Sequence, residues 1–231
     1  MTILETRELT KHFGTTKALD NMNISVESGK ITGLLGPNGS GKTTFIKIAA
    51  GLLSPTSGSC LIEGNVPGKA TKAIVSYLPD RNYLPEWMDI IRLLDYFEDF
   101  YKDFSREKAA KMVAELGIDS KQSIKHMSKG TREKVQLIMV MSRSAKLYLL
   151  DEPLSGVDPA TRDYILNTII TNYNPEAAVL ISTHLISDVE NVLDDVLFIN
   201  NGSIVLSSSV DEIRENHGKS VDEYFREVFA I

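Results

Sequence analysis

Gly36-Pro37-Asn38-Gly39-Ser40-Gly41-Lys42-Thr43 satisfies the pattern G-x-x-x-x-G-K-[ST] and stands between an apolar run and a helix-forming run, the context in which the pattern works. Glycines without a Cβ let the backbone wrap closely round phosphate oxygens, while successive N–H groups and a helix N-terminus point at the anion. Lys42 adds a point charge for the β and γ phosphates, and Thr43 offers a hydroxyl to Mg²⁺. About a hundred residues on, Leu147-Tyr148-Leu149-Leu150 runs into Asp151-Glu152. A strand buried on both faces has no reason to end in adjacent carboxylates unless their charge is used. Asp151 is placed to orient a Mg²⁺ shell, and Glu152 to polarise an attacking water. Together the two clusters spell transfer of a terminal phosphoryl group to water.

Such groups need rigid elements behind them. Thr2 to Thr10 and Ala18 to Val26 show period-two alternation and read as an antiparallel pair of half-buried strands. Ile31 to Leu35 is a short apolar strand entering the glycine loop, and Phe45 to Ala50 is the helix leaving it. Cys60 to Glu63 and Ala73 to Leu78 read as further strands. From Trp87 to Phe104 apolar residues recur at helical spacing, a pattern that buries Phe97, Phe100, Tyr101 and Phe104. Glu107 to Leu116 reads as a second helix stopped by Gly117. Strand and helix then alternate: Leu147 to Leu150, Pro159 to Asn172, Ala178 to Ser182, Leu185 to Leu193. Val196 to Asn200 turns through Asn201-Gly202 into Ile204 to Ser207. The fold class is α/β: a mostly parallel sheet with flanking helices, an N-terminal antiparallel subdomain and an inserted helical subdomain.

The 231 residues carry 42% apolar and 24% charged side chains, the balance of a globular protein. A net charge of −6 argues against a sequence-independent grip on nucleic acid or an anionic membrane. The single cysteine, Cys60, reads as a buried structural thiol in a reducing compartment. No apolar h-region marks the N-terminus, and no uncharged apolar run approaches the ~18 residues that span a bilayer.

With these motifs in place, the whole chain resembles the nucleotide-binding subunit of an ABC transporter. The resemblance implies ATP and Mg²⁺ as ligands. It assigns ATP binding to Gly36, Pro37, Asn38, Gly39, Ser40, Gly41, Lys42, Thr43 and Thr44, with Phe13 stacking on adenine. Glu152, His184 and Lys42 become the catalytic set, and Thr43, Asp151 and Asp80 the Mg²⁺ set. Only the company of the other motifs selects His184, in Ser182-Thr183-His184, over His12, His126 or His217. Met127-Ser128-Lys129-Gly130-Thr131 stands at the signature position, whose usual form is L-S-G-G-Q, so Ser128, Lys129, Gly130 and Thr131 are expected to meet the ATP of a partner subunit. Ser155 and Asp158 lie in the D-loop of Ser155-Gly156-Val157-Asp158. Two departures matter: Asp80, in Tyr77-Leu78-Pro79-Asp80, replaces the Q-loop glutamine and adds negative charge, while Lys129 and Thr131 replace glycine and glutamine.

The resemblance further implies one ABC-type ATPase domain over 1–231: a catalytic core with its β subdomain (about 1–85 and 145–210), a helical subdomain (about 86–144) and a C-terminal helical tail (about 211–231). Two such subunits, identical or paralogous, would sandwich ATP, and an integral membrane subunit would dock near Asp80 and residues 84–104, with Trp87 and Tyr83 as candidate contacts. The chain would then sit in the cytoplasm, peripheral on the cell membrane through that subunit, with no nucleic-acid partner and no insertion of its own. The S-K-G form and the terminal Ser220 to Phe225 resemble short exporter-type subunits. A soluble non-transport ABC ATPase and a regulatory nucleotide sensor are the other function classes; intact Glu152 and His184 count against the sensor.

Overall fold

The computed structural model describes residues 1–230; the last residue of the expected tail, Ile231, lies outside them. The alternating N-terminal segments form β1 (Thr2–Phe13) and β2 (Thr16–Glu27), an antiparallel pair, with Gly14 in the left-handed region at the turn. Next come β3 (Ile31–Leu35), α1 (Lys42–Ala49) and β4 (Ser57–Ile62); β4 pairs with β1 to complete a three-stranded sheet in the order β2-β1-β4. Cys60 is buried in β4, and burial pushes its thiol up to about 12.

A short α2 (Lys69–Lys72) leads into β5 (Val75–Leu78), followed by the helical block α3 (Ile90–Phe100), α4 (Arg106–Glu115) and α5 (Lys129–Met141). The chain re-enters the core as β6 (Leu147–Asp151), α6 (Pro159–Asn172), β7 (Ala178–Thr183), α7 (Ile186–Val189), β8 (Asp195–Asn200) and β9 (Ser203–Ser209). It finishes with α8 (Val210–His217) and α9 (Val221–Val228).

The main sheet has the order β5-β6-β7-β3-β8-β9, parallel throughout except for the β8–β9 hairpin. Every residue of β3, β6 and β7 is buried, as a sheet covered on both faces requires. One core joins its face to α1 and the N-terminal sheet through Leu34, Phe45, Leu149 and Leu180. The other joins it to α5, α6 and the C-terminal helices through Tyr148, Ile165, Phe198 and Phe225. A separate core around Leu93, Phe97, Val113 and Ile138 belongs to the helical block. Arg143 ties that block to the sheet: its buried guanidinium donates to both oxygens of Asp103 at 3.1 Å and to the Val75 carbonyl at 2.6 Å.

Two expected helices come out shorter. The Trp87 to Phe104 run is helical only over α3: Asp89 caps its start by accepting from Arg92 N–H at 2.9 Å, and Tyr101 is already extended. Phe97 and Phe104 are buried as expected, but Phe100 is 67% exposed, because the α3 face that packs on α4 and α5 is that of Ile90, Leu93, Leu94 and Phe97. The Leu185 to Leu193 helix is a single α-turn, α7, running into a 3₁₀ turn over Glu190–Val192.

Candidate active site

The register of the parallel sheet brings the C-terminal ends of its strands together, the usual ligand side of such a sheet. Leu35 pairs with Thr183, Asp151 with Ser182 and Leu78 with Leu150, so four loops converge: the glycine loop after β3, Asp80 after β5, Glu152 after β6 and His184 after β7. They line a cleft of 480 Å³ that includes Asn38, Lys42, Thr43, Thr44, Asp80, Glu152, Ser155 and His184.

The glycine loop is shaped by its neighbours as well as by the phosphate it suits. A Cβ on Gly36 would stand 2.3 Å from the Ile199 carbonyl of β8. Gly41, at φ +112°, would place one 2.7 Å from the Ala18 carbonyl of β2. Neither position tolerates a side chain, because β2 and β8 press the loop from outside. Helix α1 begins directly at Lys42, earlier than the Phe45 expected, so the free N–H groups of its first turn face the cleft. The Lys42 side chain is only 5% exposed. Its ammonium donates to the carbonyls of Gly36 at 2.7 Å and Pro37 at 3.2 Å and pairs with Glu152 Oε1 at 3.2 Å.

Asp151 is fully buried at the end of β6. Its Oδ1 accepts from Ser182 Oγ at 2.7 Å and Thr43 Oγ1 at 3.1 Å, while its Oδ2 is buried with no hydrogen-bond partner. Burial holds its carboxyl above the usual carboxylate range, against the two hydroxyl bonds, and the neighbouring Asp80 and Glu152 charges push the same way as burial. An unpartnered buried carboxylate oxygen beside the Thr43 hydroxyl offers hard-oxygen donors of the kind Mg²⁺ takes, and Asp80 lines the cleft that they border.

Glu152 follows in the left-handed region at φ +51°, a conformation that costs energy for a residue with a side chain. Its N–H donates to Ser182 Oγ at 3.0 Å, which fixes the kink and turns the carboxylate into the cleft. Oε2 is 2.9 Å from Nδ1 of His184. A carboxylate can only accept, so the imidazole carries a proton on Nδ1. Lys42, Glu152 and His184 thus form one contiguous set, with carboxylate at its centre.

Other expected positions lie apart. Phe13 is half-exposed at the end of β1, outside the lining of this cleft, with the Lys11 ammonium 5.2 Å from its ring centroid. Ser128 caps α5 by accepting from Thr131 N–H at 3.1 Å, and the two hydroxyls lie 2.8 Å apart. Lys129 lines an adjoining cavity, and Ser128, Gly130 and Thr131 line neither it nor the cleft. In the D-loop, Ser155 borders both cavities, whereas Asp158 caps α6 by accepting from Thr161 N–H at 3.0 Å and Oγ1 at 2.7 Å.

Two residues escaped the sequence reading. Ser182 serves Asp151 and Glu152 at once; its trace is a hydroxyl closing the apolar run Ala178 to Ile181. Gln136 holds the loop of Asp80; its trace is an amide inside the apolar run from Val135 to Met141.

A family model described as ABC transporter matches residues 19–155. Among relatives, the uncharacterized ABC transporter ATP-binding protein YdbJ of Bacillus subtilis (strain 168) is 33% identical, over 96% of this chain and 74% of its own length. The SkfA peptide export ATP-binding protein SkfE of the same organism is 28% identical over 93% of this chain and 92% of its own. An uncharacterized ABC transporter ATP-binding protein of Synechocystis is also 28% identical, and the chain spans 65% of its length. A solved ATP-binding subunit of an ABC transporter superposes with a TM-score of 0.87 at 26% identity, covering 98% of this chain and 99% of that one. An ATP-binding cassette solved in its ADP conformation gives 0.78 at 26% identity over 97% and 98% of the two chains. The glycine loop, the acid pair and the strand-end histidine therefore sit in a chain that belongs to the ABC transporter ATP-binding family.

Proposed function

We propose that the chain is the ATP-hydrolysing subunit of a transporter, paired with a second copy of itself and powering a separate integral membrane subunit, in the direction of export. The observation that carries hydrolysis is the contact of Glu152 with both Lys42 and His184 at the mouth of a phosphate-binding loop. Nucleotide holding alone needs the loop and Lys42, and has no use for a carboxylate forced into a strained backbone conformation. Among relatives, SkfE is named for peptide export, which supports the direction.

The glycine loop and the α1 N-terminus bind the triphosphate, and Lys42 turns its ammonium from the Gly36 and Pro37 carbonyls to phosphate oxygens. Thr43, Asp151 and Asp80 would hold Mg²⁺, which supplies charge neutralisation of the phosphates when bound. Glu152 orients a water and accepts its proton as the water oxygen bonds to the γ-phosphorus and the bond to the bridging oxygen of the departing ADP breaks. Lys42 and His184 steady the charge that spreads over the transferring group. Phe13 offers its exposed ring to adenine, and Ser128, Lys129, Gly130 and Thr131 meet the ATP of the other copy. The γ-phosphate then bridges two chains, and its loss lets them part, a ligand-biased two-state switch.

No helix among the described residues is long and apolar enough to cross a membrane, so this reading attaches the chain to the membrane through its partner, on the cytoplasmic face. The groove beside Asp80, with Leu52, Tyr83 and Phe100 exposed on it, receives that partner. Glu152→Gln keeps shape and removes the base. It is expected to lower phosphate release by about 10²–10³-fold and to trap a dimer with bound Mg²⁺-ATP in sedimentation velocity. Wild-type turnover by this variant would remove Glu152 from the mechanism.

A further inference from the structure

Helix α5 presents Lys129, Glu133 and Gln136 on one face, at i, i+4 and i+7. That face lines a cavity of 540 Å³ whose opposite walls are the two loops carrying Asp80 and Glu152. Side chains from the helix cross to both loops.

Gln136 is 5% exposed, and every hydrogen bond of its amide goes to the Asp80 loop. Nε2 donates to the carbonyls of Pro79 at 3.3 Å and Arg81 at 3.4 Å, the residues on either side of Asp80, and Oε1 accepts from Tyr83 N–H at 3.4 Å. The loop has no regular secondary structure over 79–83, so this one side chain supplies partners that a sheet or helix would otherwise give. Moving the loop without the helix would strand a buried amide.

Lys129 reaches the second loop from the exposed end of the same face, its side chain 65% exposed and 3.7 Å from Glu133 Oε1. A cation in the first turn of a helix is opposed by the helix dipole, yet its ammonium is carried away from the axis to donate to the Gly156 carbonyl at 3.0 Å. Gly156 sits at φ +71°, and a Cβ there would lie 2.7 Å from that nitrogen. The segment it holds is hydrogen-bonded back onto the catalytic position, with Ser155 N–H donating to the Glu152 carbonyl at 3.1 Å.

We propose that Gln136 and Lys129 are positioning residues through which the signature helix sets the placement of Asp80 and Glu152, so that a displacement of α5 reaches both acids together. This rests on the reading of those acids as hydrolytic groups, and the experiment separates the two. Hydrogen–deuterium exchange is followed over 80–84 and 154–158 in the full chain, beside the Mg²⁺ dependence of ATP turnover. Gln136→Met, of similar volume, is expected to speed exchange over 80–84 by about tenfold, leaving 154–158 within about twofold. It also raises the Mg²⁺ concentration for half-maximal turnover by roughly tenfold, the usual scale for losing a partner behind a metal ligand. Lys129→Met is expected to speed exchange over 154–158 instead, and Lys129→Arg, which keeps a donor, to restore it. If Gln136→Met fails to fold, Gln136→Glu keeps the acceptor for Tyr83 and removes both donors, with the same loop pattern expected. Unchanged exchange in both loops, or a rise spread evenly along α5, would overturn the proposal. Should Asp80→Asn leave Mg²⁺ dependence unchanged while the loops respond as stated, the metal role of Asp80 fails and the tethers stand.

Discussion

Asp151 is the residue whose environment is least comfortable: fully buried, bonded through one oxygen to Thr43 and Ser182, and bare at the other. Burial raises its pKa, so between the ordinary value of 3.8 and the raised one the folded chain binds more protons than the unfolded chain. Stability therefore falls as pH rises through that window and stays lower at neutral pH. Asp151→Asn removes this cost. We expect Tm at neutral pH without nucleotide to rise, and the gain to shrink as pH falls through the window. Added Mg²⁺-ATP should stabilise the wild type more than the variant, which keeps the glycine loop and Lys42 but loses a metal donor; a thermal melt series in pH with and without nucleotide checks both. At this scale the glycine loop and the Asp151-Glu152 pair were legible because each is a short run of fixed spacing in the chain, and His184 was picked out only in their company. Ser182 and Gln136 were not: each earns its role from partners 30 to 57 residues away, and single polar side chains at the edge of apolar runs carry no spacing signal.

Among the elements, those with strong periodicity or clear punctuation emerge where the sequence places them. The fully buried strands β3, β6 and β7, α4 with its Gly117 stop, and the whole of α6 are examples. The misreading of α3 has a physical cause. Helical spacing continues from Trp87 to Phe104, but Asp89 caps the chain two residues after Trp87 and the extended Tyr101 ends it, with its ring stacked against the Arg143 guanidinium at 4.1 Å. That contact spans 42 residues and leaves no periodic mark. Helix α5 depends on its own start: Ser128 is its cap whatever else the signature does. Ser128→Ala should cost about 1 kcal/mol in urea denaturation, with Ser128→Asn recovering most of it. A loss of ATP turnover shared by both variants, despite recovered stability, would separate the hydroxyl's part in ATP contact from its part in the cap.

For the molecule as a whole, the structure gathers the glycine loop, Asp80, Glu152 and His184 around one cleft, with Asp151 buried behind Thr43. It leaves Ser128, Gly130 and Thr131 of the signature outside that cleft. The architecture, an antiparallel sheet and a helical block set on a parallel core, was legible from the order of its patterns. The sharing of a site between two chains is a proposal that rests on the family resemblance, since no residue spacing within one chain reports where a second chain sits. The central claim is that one chain holds half of each hydrolytic site. The measurement that bears on it most directly is phosphate release per chain, at saturating Mg²⁺-ATP, as protein concentration is raised. The account predicts turnover per chain that climbs with concentration toward a plateau as pairs form. Turnover per chain that stays constant down to the most dilute protein, with the chain sedimenting as a monomer, would contradict it.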